Sequence, residues 1–258
     1  MPGIFGIVDP RRRFNRADLM NRMQKTMTPG KGFVANAIDE GAIGMGYVGS
    51  ASDHRFDQPV VVSKNRNWGV VAGQPEITTT IVDGLPLLHC REGSANEGEL
   101  LLLGFEALGR QVVERVEGSF VVAHWQHVQK HLSILNDQIG IHALYYVQYT
   151  DVFCFASEVD ALLHLPFVSR KLNQRAVDSF SAIGCMQDED TFYVDIKRLP
   201  PASLLEFRHG ILTVKTSGRA AHIINRPARR KYIDVVENAF LSALADASQP
   251  LKRQWGFC

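Results

Sequence analysis

The sequence has few cysteines and almost no net charge. Each of these features argues against certain classes of protein. Its 258 residues include four cysteines, at Cys90, Cys154, Cys185 and Cys258, with no CxxC pair. Such scattered cysteines exclude a disulfide scaffold and a cysteine-ligated zinc site. A formal net charge of +1 argues against a nucleic-acid-binding protein, which would carry a basic face. Cys154 belongs to the apolar run Val152–Ala156, so we expect its side chain to be buried.

The sequence also lacks long apolar runs and targeting signals. No apolar stretch is long enough to cross a membrane, and no basic segment precedes the apolar start as in a secretory signal. A glycine-rich phosphate-binding loop and the spacing typical of metal ligands are missing too. We therefore expect a cytoplasmic protein with no cofactor and no metal, which contacts neither membranes nor nucleic acids.

The chain is rich in hydrophobic residues, 45% of the total, and they are arranged as short strands with a few helices. Short apolar runs bounded by turn residues predict antiparallel hairpins. The predicted strands are Gly3–Val8, Phe33–Ile38, Ala42–Val48, Trp68–Ala72, Ser119–Trp125, Leu132–Leu135, Leu144–Val147, Phe153–Ala156, Ala202–Phe207 and Ile211–Val214. The predicted helices are Ala17–Met27 with Asn15 as its cap, Glu97–Leu108, Glu158–His164, Gln174–Ile183 and Arg229–Ala247. This combination indicates an α+β layered domain.

The chain becomes polar and irregular after the last predicted hairpin, which indicates a domain boundary. We expect a first domain over residues 1–215, a linker over 216–228 and the start of a second domain over 229–258. The predicted helix Arg229–Ala247 carries apolar residues along one face. Such a face needs a partner, which would be a further domain, a second copy of the chain or the first domain itself.

Two clusters of polar side chains invite a functional interpretation, and a simpler one is favoured for each. Arg11–Arg13 and Arg16 follow the first predicted strand, where a solvated turn is favoured over a phosphate site. His124, His127 and His131 belong to a predicted strand, turn and strand, so their side chains are expected to diverge. We therefore expect ordinary core and surface histidines and no metal site.

Six segments spread over residues 2–207 carry recognisable motifs. They are Pro2–Ile7, Glu99–Leu103, Arg115–Trp125, Asp137–Tyr146, Phe155–Leu163 and Arg198–Ala202. In this order they resemble the glutamine-hydrolysing half of asparagine synthetases, a class II glutamine amidotransferase domain. Phe155–Leu163 matches the family pattern Phe-Ala-Ser-Glu-x-x-Ala-Leu almost residue for residue. The resemblance implies a four-layer α/β/β/α sandwich of the N-terminal-nucleophile hydrolase type, with Gly118 and Gly140 in turns that need unusual backbone angles.

The same resemblance implies that the catalytic centre is degenerate. The family uses a cysteine as nucleophile, an arginine to hold the glutamine carboxylate and an asparagine to stabilise the oxyanion. In this sequence Pro2 replaces the cysteine, Gly49 stands at the arginine and Ala72 at the asparagine, whereas Gly73 is retained. Glu97 stands where the family has an aspartate. We call Gly49, Ala72, Gly73 and Glu97 the vestigial pocket and expect no glutaminase activity.

These features indicate the non-catalytic half of an ATP-dependent amide-forming ligase. β-Lactam synthetases and lasso peptide cyclases resemble this pattern, because they keep the domain without its cysteine. The implied partner is an ATP-pyrophosphatase-type synthetase domain or subunit, and self-association through residues 229–247 is a second option. Two alternatives stay open, namely an enzyme that uses the amine of Pro2 as a general base and a residual glutamine-dependent asparagine synthase. Glu97 and Asp137 could also bind a small polar ligand in the vestigial pocket.

Overall fold

A computed structural model of the chain describes residues 3–28, 30–50, 60–61, 66–77, 97–114, 116–216 and 240–241. The chain divides into two units, Met1–Ser217 and Gly218–Cys258. In the second unit, Phe240 and Leu241 are described, and both are helical and exposed. The rest of the predicted helix Arg229–Ala247 lies outside the described residues. That the second unit begins a synthetase domain therefore stays a prediction.

Two antiparallel sheets form the first unit, with six strands each among the described residues. The first sheet has the order β10-β8-β9-β1-β3-β2. Its strands are β1 Gly3–Val8, β2 Phe33–Glu40, β3 Ile43–Ser50, β8 Tyr145–Tyr149, β9 Val152–Ala156 and β10 Lys197–Arg198. The second sheet has the order β12-β11-β7-β6-β5-β4. Its strands are β4 Val60–Val61, β5 Trp68–Ile77, β6 Val116–Gln126, β7 His131–Asn136, β11 Ser203–Arg208 and β12 Ile211–Thr216.

Helices cover the outer faces of both sheets. The helices of the first unit's described residues are α1 Arg16–Met27, α2 Glu97–Leu108, α3 Val159–Leu163 and α4 Gln174–Ile183, with a 3-10 turn over Gly109–Glu114. Helices α1 and α3 pack on the outer face of the first sheet and α2 packs on the second. Among the described residues, no helix is long and apolar enough to cross a membrane. The predicted α+β four-layer sandwich is confirmed.

The largest core cluster lies between the two sheets, where aromatic side chains from both inner faces meet. Phe153 of β9 stacks on Phe207 of β11 with ring centroids 5.0 Å apart, which joins the sheets directly. Trp68 and Trp125 are opposite each other on β5 and β6, and both are buried. Cys154 is fully buried on the outer face, as predicted, and its burial raises the pKa of the thiol.

Local sequence signals explain where several elements begin and turn. The side chain of Asn15 accepts a hydrogen bond from the backbone N–H of Asp18, so Asn15 caps α1 as predicted. Gly118 and Gly140 have φ angles of +86° and +67°, so both have the expected unusual backbone angles. Gly140 lies in a turn as expected, whereas Gly118 lies within β6 and pairs with Pro75. Strand β5 continues to Ile77, beyond its predicted end at Ala72, and passes through Gly73 and Pro75 while still paired with β6.

The glycines of β1 allow the neighbouring strands to approach closely, and we predict that adding a methyl group there destabilises the fold. A Cβ at Gly6 would lie 2.5 Å from Cζ of Phe155 and 2.9 Å from the carbonyl oxygen of Gly44. Gly6→Ala is expected to lower the free energy of unfolding by about 1–3 kcal/mol through overpacking, measured by urea denaturation. Gly32→Ala is the control, because a Cβ there meets open space. Equal effects of the two substitutions would contradict this packing.

Candidate functional site

The start of β1 is held in place by a serine from the Phe-Ala-Ser-Glu motif. The backbone N–H of Ile4 donates to Oγ of Ser157 at 3.0 Å, and the N–H of Ser157 donates to the carbonyl of Ile4 at 2.9 Å. A Cβ at Gly3 would lie 2.5 Å from Cβ of Ser157, so this close approach needs a glycine. Pro2 precedes this anchored strand and lies outside the described residues.

The side-chain space at Gly49 is occupied by an aromatic ring. Gly49 follows Val48, which is paired with Gly3, so it lies at the end of β3 that is next to the start of β1. A Cβ built at Gly49 would lie 2.5 Å from the hydroxyl oxygen of Tyr47 and would also overlap the ring. Tyr47 is buried in the core between the sheets. An arginine at residue 49 is therefore incompatible with the present position of Tyr47.

A second ring lies against the retained glycine of β5. Gly73 has a φ angle of +105°, and a Cβ there would lie 2.7 Å from Nε2 of His142 and would overlap the carbonyl oxygen of Ser119. Its neighbour Ala72 is fully buried in the same inter-sheet core as Tyr47. The glycine is thus required by the backbone and by the imidazole ring that covers it, independently of any catalytic role.

The loop that carries His142 is organised around a buried carboxylate. Asp137 is 1% exposed, and its carboxylate accepts hydrogen bonds of 2.6 to 3.3 Å from four backbone N–H groups, those of Ile139, Gly140, Ile141 and His142. Burial lowers the pKa of His142, and the negative charge of Asp137 acts in the opposite direction. The imidazole is therefore neutral at neutral pH. Asp137 is committed to this turn, so a ligand in the vestigial pocket would have to compete with four backbone donors for it.

The remaining predicted residues are Glu97 and the three histidines of β6, β7 and the turn between them. Glu97 is the first residue of α2, as predicted, but its side chain lies outside the described residues. His124 is buried with its ring edge-on to Phe105 of α2, whereas His131 contacts Gln126 at 3.1 Å. Among the described residues, no group of three or more histidine, cysteine and acidic side chains could hold a metal ion.

The sequence did not predict that the rings of Tyr47 and His142 lie against Gly49 and Gly73. Tyr47 stands at the histidine of the family pattern Leu-Gly-His-x-Arg-Leu, and His142 stands at the lysine of Gly-Ile-Lys-Pro-Leu. Both departures are visible in the sequence. Residues i and i+2 share one face of a strand. The large residue Tyr47, two positions before Gly49, was therefore a sign that a ring can lie over Gly49.

Comparison with known proteins identifies the family. Residues 1–217 match the model of the glutamine amidotransferase domain. This match covers most of the chain, which therefore belongs to the glutamine amidotransferase domain family.

The curated relatives narrow the resemblance to asparagine synthetases. A putative glutamine-hydrolyzing asparagine synthetase of Mycobacterium tuberculosis H37Rv is 25% identical over 115 residues, which are 43% of this chain and 18% of that protein. Glutamine-hydrolyzing asparagine synthetase 3 of Bacillus subtilis is 24% identical over 113 residues, again 43% and 18%. The match thus spans less than a fifth of either relative's length.

Solved structures support the fold. The glutamine phosphoribosylpyrophosphate amidotransferase of Bacillus subtilis superimposes with a TM-score of 0.56 at 13% identity, covering 83% of this chain and 49% of that one. An allosteric regulatory enzyme of purine biosynthesis superimposes with a TM-score of 0.53, also at 13% identity, covering 83% of this chain and 48% of that one. At this identity the likeness concerns the architecture alone.

The electrostatics of the loop predict how His142 responds to the loss of its neighbouring charge. Asp137→Asn removes the one charge that opposes the effect of burial, so the pKa of His142 is expected to fall further below its ordinary value. The loss of a charged acceptor for four N–H groups should also lower stability by about 1–3 kcal/mol. Titration of the His142 ring by NMR measures the first effect, with Asp178→Asn on the surface of α4 as the control. An unchanged or higher pKa in Asp137→Asn would contradict the arrangement.

Proposed function

We propose that this chain is the non-catalytic amidotransferase half of an asparagine-synthetase-like ligase that forms amide bonds with ATP. One observation carries the proposal. The residues at the positions of the family's nucleophile, carboxylate clamp and oxyanion donor are Pro2, Gly49 and Ala72, and the rings of Tyr47 and His142 fill the adjoining space.

The chemistry of glutamine hydrolysis fails first at the nucleophile. Proline has no sulfur or hydroxyl with which to form an acyl intermediate, so the covalent route is closed at Pro2. The side chain of Ala72 donates no hydrogen bond to a developing oxyanion. Loss of one such donor alone lowers the rate about 10²–10³-fold. The two deficits act on the same step of the reaction.

Substrate binding fails for a separate reason. The α-carboxylate of glutamine needs a cation when it is taken out of water, because an unpaired buried charge is costly. Gly49 supplies none, and the ring of Tyr47 lies where an arginine side chain would begin. The neutral imidazole of His142 offers no counter-charge in place of the guanidinium.

The role that remains for this domain is structural. Its described residues form both sheets of the sandwich, and its curated relatives are much longer asparagine synthetases. We infer that the domain serves as a scaffold for an ATP-pyrophosphatase-type synthetase domain or subunit. A synthetase of this type from the same genome is then expected to lose most of its amide-forming activity when this chain is withheld. Full activity without the chain would contradict the scaffold role.

A graded set of restored residues tests the loss of glutaminase activity. The wild-type protein and Pro2→Cys are both expected to release ammonia from glutamine no faster than a matched blank. The combination Pro2→Cys, Gly49→Arg and Ala72→Asn is also expected to remain inactive, since Tyr47 still blocks the arginine. Adding Tyr47→His and His142→Lys, which changes both rings, is expected to give the first measurable rate.

Two outcomes test the loss of glutaminase activity and the filled pocket separately. Ammonia release by the wild-type protein would overturn the proposed function. Activity of Pro2→Cys alone would show that the pocket still binds glutamine, and the argument from the filled site would then be wrong. Urea denaturation of each variant checks that inactivity does not arise from unfolding.

A further inference from the structure

Three turns meet at the end of the sandwich that lies away from the start of β1. They are the loop after β1, the turn between β2 and β3 at Gly41, and the turn between β6 and β7 over residues 127–130. A cavity of about 190 Å³ lies between them. Because residue 8 ends β1 here and residue 2 precedes it at the other end, this cavity is separate from the vestigial pocket.

The lining of the cavity is positively charged. Arg12 and Lys130 supply the charge, His127 also lines the cavity, and no acidic side chain does. The neighbours Arg11 and Arg13 both pair with Asp151, at 3.0 and 2.8 Å. Within the part of the chain that the structure describes, neither Arg12 nor Lys130 has an ion-pair partner. Arg12 thus differs from Arg11 and Arg13, because only the outer two arginines pair with Asp151.

Backbone hydrogen bonds fix the turns that carry these cations. The N–H of Asp9 donates to the carbonyl of Ala42 at 2.9 Å, and the N–H of Arg12 donates to the carbonyl of Asp9 at 3.3 Å. On the opposite side, the N–H of His127 donates to the side-chain oxygen of Asn67 at 3.0 Å. A site whose backbone is held in this way loses little conformational entropy when a ligand binds.

Two ring nitrogens next to the cavity lack partners. Trp125 lines the cavity and is 2% exposed, and its indole N–H has no hydrogen-bond partner among the described residues. The same holds for Nδ1 of His127, whose ring lies 3.8 Å from the place of a Cβ on Gly41. Buried polar atoms are normally paired.

We propose that this cavity binds a small oxyanion, a phosphate or carboxylate group, with Arg12 and Lys130 as its counter-charges and with His127 and Trp125 in its wall. The volume is below the range of sites for drug-sized ligands, so it suits the charged group of a ligand and leaves the remainder in solvent. The sequence favoured a solvated turn for the arginine run. All three arginines are exposed, as a solvated turn predicts, and Arg12 differs from its neighbours in lining the cavity rather than pairing with Asp151.

The test uses inorganic phosphate and acetate as probes at constant ionic strength, with NMR of the full chain. The indole N–H resonance of Trp125, assigned with Trp125→Phe, is expected to shift saturably. Arg12→Gln combined with Lys130→Gln is expected to weaken binding at least tenfold, since each removes about one charge-assisted contact. Preference for phosphate over acetate would identify a phosphate group, and the reverse would identify a carboxylate. Either preference supports the site.

The matched control is Arg11→Gln combined with Arg22→Gln, which removes the same charge from side chains paired with Asp151 and Asp18. It is expected to change the affinity less than about twofold, because neither side chain lines the cavity and both are held in ion pairs. A non-saturating shift, or equal weakening in both double variants, would overturn the proposal. Binding of neither probe by the folded wild-type protein would overturn it as well. Unchanged resonances of the inter-sheet core verify that each variant is folded.

Discussion

The close contact of two aromatic rings with strand backbone is the constraint on which this account of the protein depends. At Gly49 and Gly73 no Cβ keeps neighbours away, and the rings of Tyr47 and His142 take the space. Protein interiors are packed as densely as organic crystals, so a catalytic side chain cannot be lost without some other group moving in. Tyr47 is thereby part of the core between the sheets, and the ring of His142 covers Gly73.

The motifs shared with the family make hydrogen bonds that hold the fold, such as those of Ser157 with Ile4 and those of the four N–H groups around Asp137. These contacts stabilise the strand ends and the loop whether or not a reaction follows. A family pattern can therefore persist in sequence after the catalytic groups have gone, which is why fold and function need separate arguments.

Most of the architecture could be predicted from the sequence because its signals are local. Hairpin periodicity located the long strands, and Asn15 and Gly140 marked a helix start and a turn. Strands β4 and β10 were missed, since two residues carry no periodicity. The resemblance predicted which positions form the site, but the direction of the Tyr47 ring depends on strands far apart in sequence. For the same reason, the division of the arginine run between Asp151 and the cavity could not be foreseen.

Calorimetric titration with L-glutamine tests the central claim most directly, because it asks whether the old pocket still accepts its substrate regardless of turnover. We expect no saturable heat up to about 10 mM, well above the usual range of KM values, since Tyr47 and His142 occupy the space and Gly49 supplies no guanidinium. Saturable binding that is lost when Gly73 or Ala72 is replaced by a larger residue would contradict it.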